Sequence, residues 1–329
     1  MTGPSTLLLT RMDVASLVSM DDCIDAVEQA FRMHGEGRTS EPGVLGMHVE
    51  RGGFHVKAAA MHLSRPYFAA KLNANFPGNP ALGLPTIQGV IVLSDADTGA
   101  TLALMDSIEV TILRTGAATA VAARHLARQD SRIMTVIGCG NQGRVSIGAI
   151  AMVRPIESVF VWDLDSGRAA NLASVPVADG RIRVQVATDW RDASRQSDIV
   201  VTCTPSRRAF LGSADVCPGA FVAAVGADNP EKQEIEPALM ASAAVIPDIV
   251  AQAASIGDLR HAIEAGVMTL GDVRADLGSV VAGRTKGRAN NNEIVVFDST
   301  GTALQDVAVA VIVYERAVAA GAGMVIALA

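Results

Sequence analysis

Near the middle of the chain an apolar run, residues 132–137, opens directly onto Gly138-Cys139-Gly140-Asn141-Gln142-Gly143 and then onto an amphipathic stretch starting near Gln142. A strand giving way to a helix through three glycines at this spacing constrains the fold more than any other feature. Gly138 permits the tight turn, Gly140 lets a pyrophosphate approach the backbone, and Gly143 lets helix and strand pack closely; the helix N-terminus adds N–H donors and partial positive charge. Twenty residues past Gly143 the next apolar run ends in Val161-Trp162-Asp163, which puts a carboxylate where ribose hydroxyls would lie. Asp163 therefore favours NAD(H) over NADP(H): a 2′-phosphate would meet a like charge, and no Arg immediately follows to receive it.

From about Ser131 onward, β-branched runs alternate with Ala-rich amphipathic stretches, the pattern of β-α units around a parallel sheet. The strand signals fall at 132–137, 158–163, 181–186, 198–202, 220–225 and 244–249, with helices starting near Gln142, Asp165, Asp189 and Glu236. They predict six strands in one doubly wound domain. Thr202-Cys203-Thr204-Pro205 closes the fourth strand and Val225-Gly226-Ala227-Asp228 the fifth, at the carboxyl ends where such folds bind ligands. The first 120 residues read differently: a helix over 20–35, then strand-like segments at 53–60, 68–74 and 89–94 bounded by Gly, Pro or Asn, as in an antiparallel sheet. A helix over 110–127 links the two parts. After a further strand signal at 293–297, Asp298-Ser-Thr-Gly301 precedes a long apolar helix over 303–320. The expected fold is α/β: a Rossmann doubly wound parallel sheet over 121–299, plus a discontinuous α+β domain of 1–120 completed by 300–329.

With 50% hydrophobic and 19% charged residues, the 329-residue chain is too apolar to be disordered. A net charge of −7 and 4% aromatics give phosphate backbones and bases little to hold, so no nucleic-acid partner is expected. Four scattered cysteines without a C-x-x-C pair fit a reduced, cytoplasmic compartment, and neither His55 nor His62 belongs to a metal pattern. Cys139 reads as a small packing residue rather than a nucleophile. No export signal is read at the start, and Asp306, Glu315 and Arg316 interrupt the apolar C-terminal stretch, so no membrane span is expected. Val307, Val311 and Val318 of that helix need cover, which points to a homodimer.

Five segments resemble the ornithine cyclodeaminase/mu-crystallin family: Lys71-Leu-Asn-Ala-Asn-Phe-Pro-Gly-Asn79, Leu113-Arg-Thr-Gly-Ala-Ala118, the Gly138–Gly143 loop, Val225-Gly-Ala-Asp-Asn-Pro-Glu-Lys232 and Val296-Phe-Asp-Ser-Thr-Gly301. They occur in family order across most of the chain. The resemblance implies a Rossmann domain with a discontinuous substrate-binding and dimerisation domain, and hydride transfer at the carbon–nitrogen unit of a small imino or amino acid. It implies a catalytic set of Asp228, Lys71 and Arg114, with Lys71 and Arg114 gripping the substrate carboxylate and Asp228 handling the nitrogen proton. It also implies cofactor contacts from Thr86, Arg114, Thr115, Asn141, Gln142, Asp163, Lys232 and Ser299, beside Gly138, Gly140, Gly143, Thr202, Thr204, Val225 and Gly226 of the glycine loop and strand ends.

The sequence departs from ornithine-cyclising members. Gly43 stands near their additional Arg, and Lys57 near a Glu that helps bind the amino group. Lys57 is accordingly expected to act as a second cation for the substrate carboxylate. The expected activity is an NAD(H)-dependent imine reductase or amino-acid dehydrogenase; the competing readings are an ornithine or lysine cyclodeaminase, which recycles its NAD, and a non-catalytic NAD-binding sensor.

Overall fold

A computed structural model describes residues 5–177 and 180–328 of the protein. The chain divides into two compact units, Met1–Arg114 with Thr302–Ala329, and Thr115–Gly301.

In the first unit, strands β1 (Ser5–Leu9), β2 (Gly43–Val49), β3 (Gly52–His62), β4 (Pro66–Asn75), β5 (Ile87–Asp95), β6 (Thr101–Asp106) and β16 (Met324–Ala327) form one sheet in the order β16-β1-β6-β5-β4-β3-β2. β1 runs parallel to β6 and the other neighbours are antiparallel. Helices α1 (Arg11–Leu17) and α2 (Met20–Gly35) start at reciprocal caps, Thr10 with Asp13 and Ser19 with Asp22, which satisfy N–H groups that a first turn leaves open. α2 buries Ile24, Val27, Ala30 and Phe31, the stripe that the sequence spacing predicts. The returning α11 (Ala303–Ala320) packs against α2, β3 and β4.

Alternation along β4 puts Tyr67, Ala69 and Lys71 on the buried face while Phe68 and Leu72 are exposed. Lys57 of β3 is the direct cross-strand partner of Lys71, so both ammonium stems leave the sheet on the side that α11 covers. The expectation for α11 itself needs correcting. Val307 and Val311 are buried within their own unit, and of the three valines only Val318 is exposed, at 56%. The uncovered apolar side chains sit on the sheet instead: Val44, Leu45, Met47 and Val49 of the edge strand β2, with Phe68 and Leu72.

In the second unit, β7 (Ile133–Ile137), β8 (Ser158–Trp162), β9 (Arg183–Val186), β10 (Ile199–Thr202), β12 (Phe221–Ala224), β14 (Ala244–Pro247) and β15 (Val295–Asp298) form an all-parallel sheet in the order β14-β15-β12-β10-β7-β8-β9. This is a doubly wound fold with seven strands rather than six. The strand signal at 293–297 enters the sheet as β15, between β12 and β14, and pushes β14 to the edge. Every side chain of β10, β12, β14 and β15 is buried, as expected of strands covered on both faces. A two-stranded parallel sheet of β11 (Arg207–Leu211) and β13 (Gln233–Ile235) lies beside it in sequence.

Helices α4 (Asn141–Ala151), α5 (Ser166–Ser174), α6 (Trp190–Arg195) and α7 (Pro237–Ser242) begin within a residue or two of the predicted starts. Asp165 and Asp189 cap α5 and α6 by accepting backbone N–H bonds, and Pro237 opens α7. Three short helices, α8 (Val250–Ile256), α9 (Asp258–Glu264) and α10 (Leu277–Val281), lie in the return from β14 to β15. Helix α3 (Ser107–Leu126) starts three residues earlier than its periodicity suggests, because Asp106 accepts the Glu109 N–H at 2.8 Å.

Candidate active site

The order of the parallel sheet reverses between β7 and β10, and a doubly wound fold opens its ligand crevice at such a point. The glycine loop sits there. Gly138 has φ 105°, and a side chain on it would lie 2.7 Å from the Cys203 carbonyl oxygen at the end of β10. At Gly143 a Cβ would fall 2.1 Å from the Gly138 carbonyl oxygen, so helix and strand meet only because this residue has none. At Gly140, by contrast, a Cβ would meet nothing within 4 Å. Gly140 is also the N-cap of α4 and offers no side-chain cap, which leaves the first-turn N–H groups to an anion. The loop thus has the three properties that a dinucleotide pyrophosphate requires.

Asp163 holds the loop from below, accepting Cys139 N at 2.8 Å and Asp165 N at 2.9 Å. An adjoining cleft of about 410 Å³ is lined by Cys139, Gly140, Asn141, Arg144 and Arg168 among others. The two arginines are cations that the sequence reading did not weigh, since neither follows Asp163 directly. Burial, helped by the Asp163 charge, pushes the Cys139 thiol up to about 12, so it is no thiolate nucleophile.

At the strand ends, the predicted contacts Thr202 and Thr204 are tied to a carboxylate that sequence reasoning missed. Fully buried Glu234 accepts Thr202 Oγ1 at 2.7 Å and Gly226 N at 2.8 Å on one oxygen, and Thr204 N at 2.6 Å and Thr204 Oγ1 at 2.7 Å on the other. Burial pushes the Glu234 carboxyl up, and those hydrogen bonds oppose it only in part. Asp258 Oδ1 in turn accepts Glu234 N and Ile235 N, and Asp298 accepts Asp258 N and Leu259 N. Burial and the Glu234 charge raise the Asp258 carboxyl to about 7. Val225 and Gly226 are buried above this network, and Ser299, also buried, donates its N–H to the Ala224 carbonyl. Asp228 emerges with a half-exposed side chain, and Lys232 Nζ reaches it at 2.7 Å, one helical turn on in sequence. Gln142 Oε1 is buried with no hydrogen-bond partner.

The first unit carries the cations. Lys71 Nζ lies 2.8 Å from both oxygens of Asp306 on α11. Arg114 Nε is 3.1 Å from Asp306 Oδ1, an ion pair at an angle that makes no hydrogen bond, and Arg114 Nη1 donates to Gln305 Oε1 at 2.8 Å. Lys57, Lys71 and Arg114 are all buried. Burial pulls the Lys71 ammonium down to about 7; Asp306 opposes this, while Arg114 and Lys57 add to it. Burial would raise the Asp306 carboxyl, but Lys71 and Arg114 outweigh it and hold the group low. Thr86 is half-buried ahead of β5, its carbonyl accepting Phe76 N at 2.8 Å. Thr115 is buried on α3, and its carbonyl accepts Thr119 Oγ1 at 2.8 Å.

Gln305 and Asp306 are the residues here that sequence reasoning did not assign to a site. Their signal was available: a carboxylate inside an apolar, packed helix needs a partner, and each of the three charges that interrupt α11 has one. Asp306 has Lys71 and Arg114, Glu315 accepts from Tyr67 Oη at 3.0 Å, and Arg316 pairs with Asp22. Among the described residues, no helix is long and apolar enough to cross a membrane and no cluster of His, Cys, Asp and Glu could hold a metal.

Comparison with known proteins extends over the whole chain. The sequence profile of the ornithine cyclodeaminase/mu-crystallin family matches residues 5–321. An alanine dehydrogenase of Archaeoglobus fulgidus is 37% identical over 318 residues, 97% of each sequence. A solved archaeal alanine dehydrogenase dimer with bound NAD matches with a TM-score of 0.94 at 38% identity, covering 99% of this chain and 100% of that one. The Δ1-pyrroline-2-carboxylate reductase of Thermococcus litoralis, solved with NADH and L-proline, matches with a TM-score of 0.93 at 32% identity over 97% of this chain and 99% of that one.

Proposed function

The chain belongs to the ornithine cyclodeaminase/mu-crystallin family, and from that premise we propose that it is an NAD(H)-dependent oxidoreductase acting at the carbon–nitrogen bond of a small imino or amino acid. The observation that carries the reading is the buried Lys71 and Arg114 pair, which has one carboxylate between two cations. A substrate carboxylate is the anion such a pair is built to take. Arg114 supplies a planar fork and Lys71 a point charge, and Lys57, on the same covered face, adds a second ammonium.

The glycine loop and the first turn of α4 would hold the pyrophosphate, and Asp163, which also accepts from Cys139 N and Asp165 N, would accept from the ribose hydroxyls. Bound NAD(H) supplies the hydride donor or acceptor. In reduction, the imine carbon gains hydride and its nitrogen ends one proton richer; in oxidation both are lost from the amine. Asp228 gives and takes that nitrogen proton, and its charge steadies the iminium cation that stands between the two states. Lys71 and Arg114 fix the acid end, so that orientation, rather than affinity alone, lowers the barrier.

Lys57, near the position where the family resemblance implies an acidic residue in cyclising members, gives a diamine's distal ammonium a like charge to meet, which favours net reduction or dehydrogenation over cyclodeamination. The exposed apolar strip on β2 and β4 supports a homodimer formed through the sheet, and four unpaired cysteines support a cytoplasmic setting. The test is a screen of imino, keto plus ammonia, and amino acids with NADH, NADPH and their oxidised forms. A reductase or dehydrogenase changes NADH absorbance in proportion to product. Ammonia release from ornithine or lysine without net NADH change would replace this reading by the cyclising one, and NAD binding with no turnover on any substrate by a sensor.

A further inference from the structure

Two cations of the first unit, Lys71 and Arg114, converge on one carboxylate, Asp306, and Lys57 lies opposite Lys71 on the neighbouring strand. Lys57, Lys71, Arg114 and Asp306 are 7, 3, 6 and 1% exposed, so water screens none of them well. Asp306 divides its charge between Lys71, 2.8 Å from each oxygen, and Arg114. Gln305, the preceding residue of α11, takes one Arg114 N–H, while its own Nε2 is a buried donor with no acceptor, as is Arg114 Nε. Two orphaned donors beside two cations, Lys71 and Arg114, that share the single Asp306 carboxylate call for one more acceptor that is itself negative.

We infer that Asp306 is a positioning residue which favours the ammonium form of Lys71 and aims both Lys71 and Arg114, and that a substrate carboxylate completes this cluster and draws a proton onto Lys71 as it binds. The inference rests on the carboxylate reading above and adds to it a residue and a proton. The charged groups facing Lys71 are Lys57 from β3, Arg114 from α3 and Asp306 from α11, with Thr111 Oγ1 as a neutral neighbour at 3.5 Å. With Lys71 pulled down to about 7 by burial first, Asp306 opposing and Arg114 and Lys57 adding to it, a large share of free sites near neutral pH holds an uncharged amine. A second carboxylate favours the ammonium, and the proton comes from solvent. The sign follows: the affinity that Lys71 provides is complete below that value and is lost as pH rises through and beyond it. Without the Asp306 charge the loss sets in at lower pH.

Binding is measured by calorimetry on the full-length protein saturated with NAD⁺, with pyrrole-2-carboxylate as the probe, a planar carboxylate that has no titrating amine. Buffers of unlike ionisation heat report the protons taken up. The wild type is expected to take up close to one proton above neutral pH, with affinity falling toward about tenfold per pH unit there. An opposite charge this close is worth about one to three pK units, so Asp306→Asn is expected to bind at least about tenfold more weakly on the alkaline side, and Asp306→Glu to recover most of the loss. Lys71→Met abolishes both proton uptake and pH dependence.

Absence of proton uptake by the wild type overturns the inference without any variant, which covers an Asp306→Asn protein that fails to fold. Wild-type affinity and uptake in Asp306→Asn, with binding weakened in Lys71→Met, overturns the role of Asp306 and leaves the carboxylate site standing. Binding unaffected by Lys71→Met, or no binding to the wild type at any pH, removes the carboxylate site itself.

Discussion

Replacing Glu234 by glutamine keeps the shape of the side chain and removes its charge, at a point where one carboxylate ties together the ends of β10, β12 and β13. Each oxygen accepts one backbone N–H and one threonine hydroxyl: Thr204 N with Thr204 Oγ1, and Gly226 N with Thr202 Oγ1. Glutamine has a single carbonyl oxygen. Whichever way the amide turns, its NH₂ faces either Thr204 N or Gly226 N; the threonine hydroxyl can rotate and accept, but the backbone amide cannot. One buried N–H is orphaned, at about 1–3 kcal/mol.

Part of that is returned, because the amide carries no charge to desolvate. Burial raises the Glu234 carboxyl, so the wild type has its full stability below the ordinary carboxylate range and loses some as pH rises through the folded-state value. The variant has no such loss, and relieving Asp258 of the Glu234 charge acts in the same direction. The stability gap between wild type and Glu234→Gln is therefore expected to be widest on the acid side and to narrow toward alkaline pH.

Urea unfolding followed by tryptophan fluorescence measures this cleanly. The two tryptophans, Trp162 and Trp190, pack edge to face at 6.4 Å within the second unit, so the signal reports the unit that contains Glu234. The same orphaned amide loosens the Val225–Asp228 segment, and a misplacement of about 1 Å at a reacting group costs on the order of 10²-fold. The expected outcome is a fall of that order in kcat with NADH affinity nearly unchanged. Equal stability at all pH together with wild-type kcat would refute the account of Glu234 as the splint of this edge.

Three further outcomes are expected. Gly143→Ala places a methyl 2.1 Å from the Gly138 carbonyl, so α4 must move off β7 at about 1–3 kcal/mol, and NADH binding read by fluorescence should be lost; retained affinity would show that the loop is not the pyrophosphate cradle. Asp163→Asn removes a like charge that costs a 2′-phosphate about 1–4 kcal/mol between water and a protein surface, so the NADPH to NADH efficiency ratio should rise about tenfold or more, with Arg144 and Arg168 left to receive the phosphate; a ratio that stays put would place the ribose elsewhere. Phe68→Glu with Leu72→Glu puts two carboxylates on the exposed side of β4, and sedimentation should then report a monomer; an unchanged mass would exclude this side of the sheet as the interface.

What the sequence determined by itself was local. Both ends of α2 and α11, the starts of α5 and α6, and the turn between β7 and α4 follow from periodicity, a capping side chain and three glycines, all within a few residues of one another. The same is true of the residues near the glycine loop, because a pyrophosphate cradle is made of consecutive backbone. Tertiary structure decided what distant segments do to each other. Asp306 looked like an interruption in an apolar helix until α11 returned to meet Lys71, 235 residues earlier in the chain. β15 entered between β12 and β14, and β1 and the edge strands β2 and β16 were set by partners rather than by their own short runs. The physical reason is common to these cases: a side chain's spacing along its element is written in the sequence, whereas the charge, strand or hydrogen bond that satisfies it is chosen by a chain folding back on itself.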